Sequence, residues 1–259
     1  MQVGLIGCGN MARALARGWG RPLVCADPVA DRAEALAAEV GGEALATNAL
    51  VAERAELVVL CHKPSQLQDV AREVAPGAKA IASILASVPL PALRAAYPER
   101  PVYRFVPSLP VEVRQGAIVQ AADAPAATQG GQAAALDEAV GDLFAELGTL
   151  VVLPDALLDV AMGLMSCAPA YVALVAEAQV DAGVRRGIPA AQGAELVVQT
   201  LAGTAELLRR RGYDMVAVRR EVTSPGGLTA RGLDALERAG LRAAFSEALD
   251  AVLAREEPR

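Results

Sequence analysis

Two short stretches near opposite ends of the 259-residue chain carry the residue types that seat an anion. Gly7-Cys8-Gly9-Asn10-Met11-Ala12 follows the apolar run VGLI without a spacer. A GxGxxA pattern between a strand and a helix serves a dinucleotide. Gly7 permits the tight turn, Gly9 lets a pyrophosphate approach the backbone, and Ala12 allows close helix–strand packing. Asn10 and Met11 open a helix whose free N–H groups and dipole favour the anion. The second stretch is VTSPGGLT, residues 222–229. Ser224 before Pro225 is a helix N-cap signature, and Gly226 and Gly227 leave first-turn amides unshielded, a seat for a carboxylate. Thr229, five residues past Ser224, can present its hydroxyl on the same face. The same residues also fit a plain capped helix after a flexible turn.

Three further positions follow strands at the edge where such sheets bind ligands. Asp27, 18 residues beyond Gly9, can accept from the adenine ribose hydroxyls, which favours NAD. Before Pro28 it is equally an N-cap, and Arg32, one turn on, can meet a 2′-phosphate instead. Lys63-Pro64 follows LVVLC; Lys63 faces the cofactor or lies solvated in the loop. Ser108, in VPSLP, either donates into the pocket or serves as a turn hydroxyl.

The elements needed to position these residues are legible as an alternation. VGLIG (3–7), PLVCA (22–26), LVVLC (57–61), AIASIL (80–85), VYRFV (102–106), AIVQAA (117–122) and TLVVLP read as strands. Helices are expected at 10–19, 29–40, 65–74, 90–96 and 133–147, with a polar loop at 121–132. That rhythm predicts a doubly wound, mostly parallel α/β sheet over residues 1–153. After Pro154 the period is helical throughout, with segments 155–163, 169–186, 190–211, 214–222 and 226–255, so 154–259 reads as an all-α domain. The stretch 169–182 is apolar nearly all round, which calls for a partner subunit to cover it.

Composition removes several classes. Hydrophobic residues are 54% and charged residues 21%, enough for a filled core. A net charge of −6 and 3% aromatics argue against nucleic acid. The longest charge-free run, 160–176, contains Gly163, Ser166 and Pro169 and reads as buried helix rather than a membrane span. Four cysteines without a CxxC, and no leader pattern, fit a reduced cytoplasmic protein. A single histidine argues against a histidine zinc site or a Ser-His-Asp triad. The two lysines, Lys63 and Lys79, leave none in the helical half, where a β-hydroxy-acid dehydrogenase needs one.

Taken together, GLIGCGNMA, LCHKP, Pro169-Ala170-Tyr171, SPGGLT and GLRAAFSEA resemble the pyrroline-5-carboxylate reductase family over essentially the whole chain. The resemblance implies a Rossmann domain followed by an all-helical dimerisation domain interlocked with a second subunit, within a homodimer or a larger assembly of dimers. It implies hydride transfer from NADPH or NADH to a cyclic imino acid, the imine of 1-pyrroline-5-carboxylate, giving proline. Thr229 would hydrogen-bond the substrate's ring nitrogen, and the amides around Ser224, Pro225, Gly226, Gly227 and Thr229 would hold its carboxylate. Lys63 is carried with Thr229 as a catalytic candidate. The chain departs from the family pattern in three places. It has Ser108-Leu109-Pro110 for Asn-Thr-Pro, Ser166-Cys167-Ala168 for Gly-Ser-Gly, and Ala86-Ser87 for Ala-Gly. These raise an alternative: a weak or inactive nucleotide-binding homologue with a regulatory role, or a reductase of another cyclic imine.

Overall fold

Strand β1 (Val3–Ile6) is a continuous apolar run buried on both faces, as parallel strands under two helical layers must be. The computed structural model, described here for residues 1–122 and 131–254, continues it as an alternating α/β chain. The helices α1 (Asn10–Trp19) and α2 (Ala30–Val40) enclose β2 (Val24–Ala26). Then come β3 (Glu43–Ala44), α3 (Asn48–Arg54), β4 (Leu57–Leu60), α4 (Leu67–Val74), β5 (Ile81–Ser83), α5 (Leu90–Ala96) and β6 (Val102–Pro107). The sheet closes with β7 (Gly116–Ala121), α6 (Gly131–Ala145) and β8 (Gly148–Leu153). Strand order is β3-β2-β1-β4-β5-β6-β7-β8. Among the described pairings, only β6 with β7 is antiparallel.

The period of two distributes the strands between two cores. Leu5, Leu57 and Val59 join the cluster around Trp19, Phe105 and Phe144. Ile6, Val58 and Leu60 face the cluster with Val74, Leu90 and Tyr97. Phe105 and Phe144 stack at 3.8 Å, and Trp19 meets Phe144 edge-on at 5.6 Å.

Two elements were not expected. The strand β3 has only two residues, too short for a period. The helix α3 begins at a Thr47 cap, whose Oγ1 accepts from the Leu50 amide at 3.2 Å. The loop expected at 121–132 falls mostly on 123–130, outside the described residues.

Contacts divide the chain into a unit Met1–Pro169 and a unit Ala170–Arg259. The first therefore extends past the last strand. A turn at Asp155–Leu157, α7 (Leu158–Ala161) and a π-helical turn Met162–Ser166 pack against the sheet. Arg104, 2% exposed on β6, fastens them: its guanidinium pairs with Asp155 at 2.8 Å and with Asp159 at 2.6 Å.

In the second part of the chain lie α8 (Ala168–Val184), α9 (Ala190–Arg210), α10 (Met215–Glu221), α11 (Leu228–Arg238) and α12 (Leu241–Leu253). The single helix expected over 226–255 is corrected to two, because Gly240 takes φ +79 between them. The helix α8 has no buried residue within the single chain.

Candidate functional site

The glycine-rich loop is packed closely against the end of β4 at its first glycine. At Gly7 the backbone has φ +94, and a Cβ there would lie 3.0 Å from the Cys61 carbonyl and the His62 amide nitrogen. The turn therefore demands glycine. The Gly7 amide donates to the Ala26 carbonyl at 2.8 Å, and the Cys8 amide donates to Asp27 Oδ2 at 2.8 Å. Gly9 is the N-cap of α1 and supplies no side-chain cap. A Cβ on it would meet nothing within 4 Å. The first-turn amides of Asn10, Met11 and Ala12 lack intrahelical partners, as at any helix start. Ala12 itself is buried against the sheet.

Asp27 takes a role between the two expected for it. Its Oδ1 accepts from the Val29 amide at 2.9 Å, but the N-cap of α2 is Val29, so the N-cap assignment is corrected. Both carboxylate oxygens receive backbone amides, which fix the acid beside the loop with lone pairs to spare.

A cavity of about 520 Å³ opens at the carboxyl ends of the strands. It brings together Gly7, Gly9, Met11, Asp27, Lys63 and Pro64 of the expected residues. Asn10 lines an adjoining recess with Arg13 and Arg32. Ser108 is corrected. It is 3% exposed, and its Oγ accepts from the Ala117 amide at 2.9 Å, a turn hydroxyl that fastens β6 to β7. In its place Val106 and Pro107 reach the cavity.

Sequence reasoning missed Gln66, Ile84, Leu85 and Met162, which also line it, and reached Ser166 only as a departure from the family pattern. Gln66 Oε1 accepts from the Lys63 amide at 3.2 Å, a local signal readable from the spacing. Ser166 Oγ donates to the Pro107 carbonyl at 3.0 Å, which no local pattern announces. Ser87, where the family pattern has glycine, is held at φ +56.

The thiols here are not nucleophiles. Donation of its hydrogen bond to Cys25, then burial, push the Cys8 thiol up, and burial alone pushes Cys61 up. Both stay protonated at neutral pH.

In the second unit, Ser224-Pro225-Gly226-Gly227 forms a turn. The Gly227 amide donates to the Ser224 carbonyl at 3.0 Å, and Gly226 takes φ +68. Proline followed by a positive-φ glycine is the signature of a type II turn. The helix α11 therefore starts after it, with Gly227 rather than Ser224 as N-cap and no side-chain cap. Ser224, Gly226 and Thr229 are exposed, and Thr229 sits in the uncapped first turn. A Cβ at Gly227 would lie 2.3 Å from Ser224 Oγ, which would have to turn away, and 3.2 Å from the Ser224 carbonyl oxygen.

A family model described as pyrroline-5-carboxylate reductase dimerisation matches residues 155–258. Another, described as NADP oxidoreductase, coenzyme F420-dependent, matches residues 2–87. The chain is 35% identical to the pyrroline-5-carboxylate reductase of Thermus thermophilus, over 98% of this chain and 97% of that protein. It is 33% identical to the one from Synechocystis sp., over 99% and 97%. Among solved structures, the Streptococcus pyogenes 1-pyrroline-5-carboxylate reductase superposes with a TM-score of 0.86 at 27% identity, covering 97% of this chain and 96% of that one.

Proposed function

The chain belongs to the pyrroline-5-carboxylate reductase family, and from that premise we propose how its residues divide the work of reducing 1-pyrroline-5-carboxylate to L-proline with NAD(P)H. What carries the proposal is that the glycine-capped starts of α1 and of α11 each follow a glycine-rich turn and leave their first amides unshielded.

NAD(P)H, when bound, supplies the hydride that the imine carbon receives. The fit to the chain is physical. Open space above Gly9 admits a pyrophosphate, and the amides of Asn10, Met11 and Ala12 meet it. Asp27 takes the adenosine ribose. Lys63 and Pro64 border the same cleft. The nucleotide domain is the sheet of residues 1–153 with the segment 154–169 that belongs to the same unit, and the helices beyond it form the substrate and dimerisation domain.

The substrate's carboxylate rests on amides from Gly227 to Thr229, beside the Ser224 hydroxyl and the Pro225-Gly226 turn. Thr229 Oγ holds the ring nitrogen. An iminium accepts hydride with little acid assistance, so the helical part needs no lysine or histidine. Its residues orient the ring and exclude water. The alternative of a non-catalytic homologue is not favoured: relatives named as reductases match almost the whole chain.

The exposed apolar residues of α8 and α9, Val172 at 50%, Leu174 at 64% and Leu196 at 61%, support an interlocked homodimer. Four free thiols support a cytoplasmic location.

The test is NADH and NADPH oxidation with pyrroline-5-carboxylate, repeated with Thr229→Ala. The wild type turns over, and the variant loses roughly tenfold or more in kcat/KM, the worth of a hydrogen bond to a charged group. Turnover indifferent to the substitution removes the role given to Thr229.

A further inference from the structure

His62 is the single histidine of the chain, and the chemistry above gives it no task. It stands two residues past the end of β4 and lines the cleft. Its Nδ1 lies 2.9 Å from the Lys63 carbonyl oxygen. A carbonyl oxygen only accepts, so Nδ1 carries the proton. Burial lowers the imidazole's pKa, with the Lys63 bond acting against it, and the ring is neutral at pH 7. The Nε2 lone pair is therefore free to accept. That atom is buried and has no hydrogen-bond partner among the described residues. A buried acceptor left this way costs folding free energy, so a ligand that donates to it recovers the loss.

The sheet order says which part of a ligand that is. Strand β2, which delivers Asp27, lies on one side of β1, and β4 lies on the other. A dinucleotide laid across this crevice with its adenosine ribose at Asp27 crosses the Gly7–Gly9 loop and continues over β4. His62 is next to that loop, since its amide nitrogen is what a Cβ on Gly7 would strike. We propose that His62 Nε2 accepts a hydrogen bond from a hydroxyl of the ribose on the nicotinamide side, making His62 a cofactor-binding residue. This rests on the nicotinamide dinucleotide occupying the cleft as described above.

One imidazole per chain makes the test direct. In the full-length protein labelled with 15N-histidine, the Nε2 resonance should shift toward that of a hydrogen-bonded acceptor on adding NADPH or NADH. ADP has the adenosine ribose and the pyrophosphate but no second ribose, and should leave the resonance in place. His62→Val should weaken NADPH binding about fivefold to tenfold, the worth of one neutral hydrogen bond. It should leave ADP affinity as it was. The variant without nucleotide should melt no lower than the wild type, because valine removes an unpaired polar atom. His62→Gln, which keeps an acceptor, should recover part of the lost affinity. A dinucleotide that binds without moving Nε2, or a His62→Val protein with an unchanged ratio of NADPH to ADP affinity, overturns this proposal alone. A wild type that binds no nucleotide overturns both it and the reading it rests on.

Discussion

In the unit Met1–Pro169, Leu5, Leu57 and Phe105 are 0% exposed. In the unit Ala170–Arg259, Leu174, Leu196 and Leu228 are 64%, 61% and 80% exposed. Both are rich in aliphatic residues, yet one hides them and the other does not. A sheet flanked by helices closes two cores with its own chain. A short set of helices has too little volume to bury an all-round apolar helix such as α8. The same contrast runs through the glycine-capped starts of α1 and α11. Gly9 opens into a cleft completed within its own unit, whereas the Ser224–Thr229 turn is exposed in its own. The first region covers its apolar residues with its own chain, and the uncovered ones of the second fit the association proposed above.

The largest expected effect breaks that association. Leu174→Asp would place an unpaired carboxylate in the proposed dimer core, at a cost of several kcal/mol. Monomers by sedimentation, and a loss of activity of roughly 100-fold, are expected. A stable, active dimer would mean that α8 is covered by something else. Next, Arg104→Met leaves the carboxylates of Asp155 and Asp159 without their cation. Breaking a buried pair from one side costs about 3 kcal/mol, to be read as a lower denaturant midpoint. An unchanged midpoint would show that the first unit does not depend on this clamp. The smallest effect is expected from Gly7→Ala. Positive φ for a residue with a Cβ costs about 1–2 kcal/mol, and the 3.0 Å approach to the Cys61–His62 peptide adds to it. Dinucleotide affinity should fall more than stability does. Equal losses in both would reduce the loop to a structural turn.

Where the sequence was informative, a strong local period or a positional motif was present. The helices at 10–19 and 90–96 agree with expectation to the residue, because each is bounded by Gly or Pro punctuation and has one apolar face. The strand β3 escaped because two residues have no period. Ser108 was ambiguous because a hydroxyl between two prolines suits either a pocket or a turn, and only the Ala117 amide settles it. Ser224 carried the N-cap signature, yet the helix starts three residues later. The Ser-Pro-Gly-Gly turn satisfies its backbone first, and a glycine cap follows. The wall of the cleft made by Met162 and Ser166 had no local signal, because Arg104 and Pro107, distant in the chain, hold it in place.

By itself, then, the sequence determined the alternation of strands and helices, the glycine turn at residue 7, and a glycine-rich helix start near each end of the chain. Those follow from side-chain period and from backbone angles, which act over a few residues. The tertiary structure decided that the Ser108 hydroxyl meets the Ala117 amide, which carboxylates clamp the segment after β8 to the sheet, and that the buried Nε2 of His62 has no partner among the described residues. Those depend on which distant groups meet. A buried polar atom is fixed by the partner it finds, or lacks, once the strands are in order.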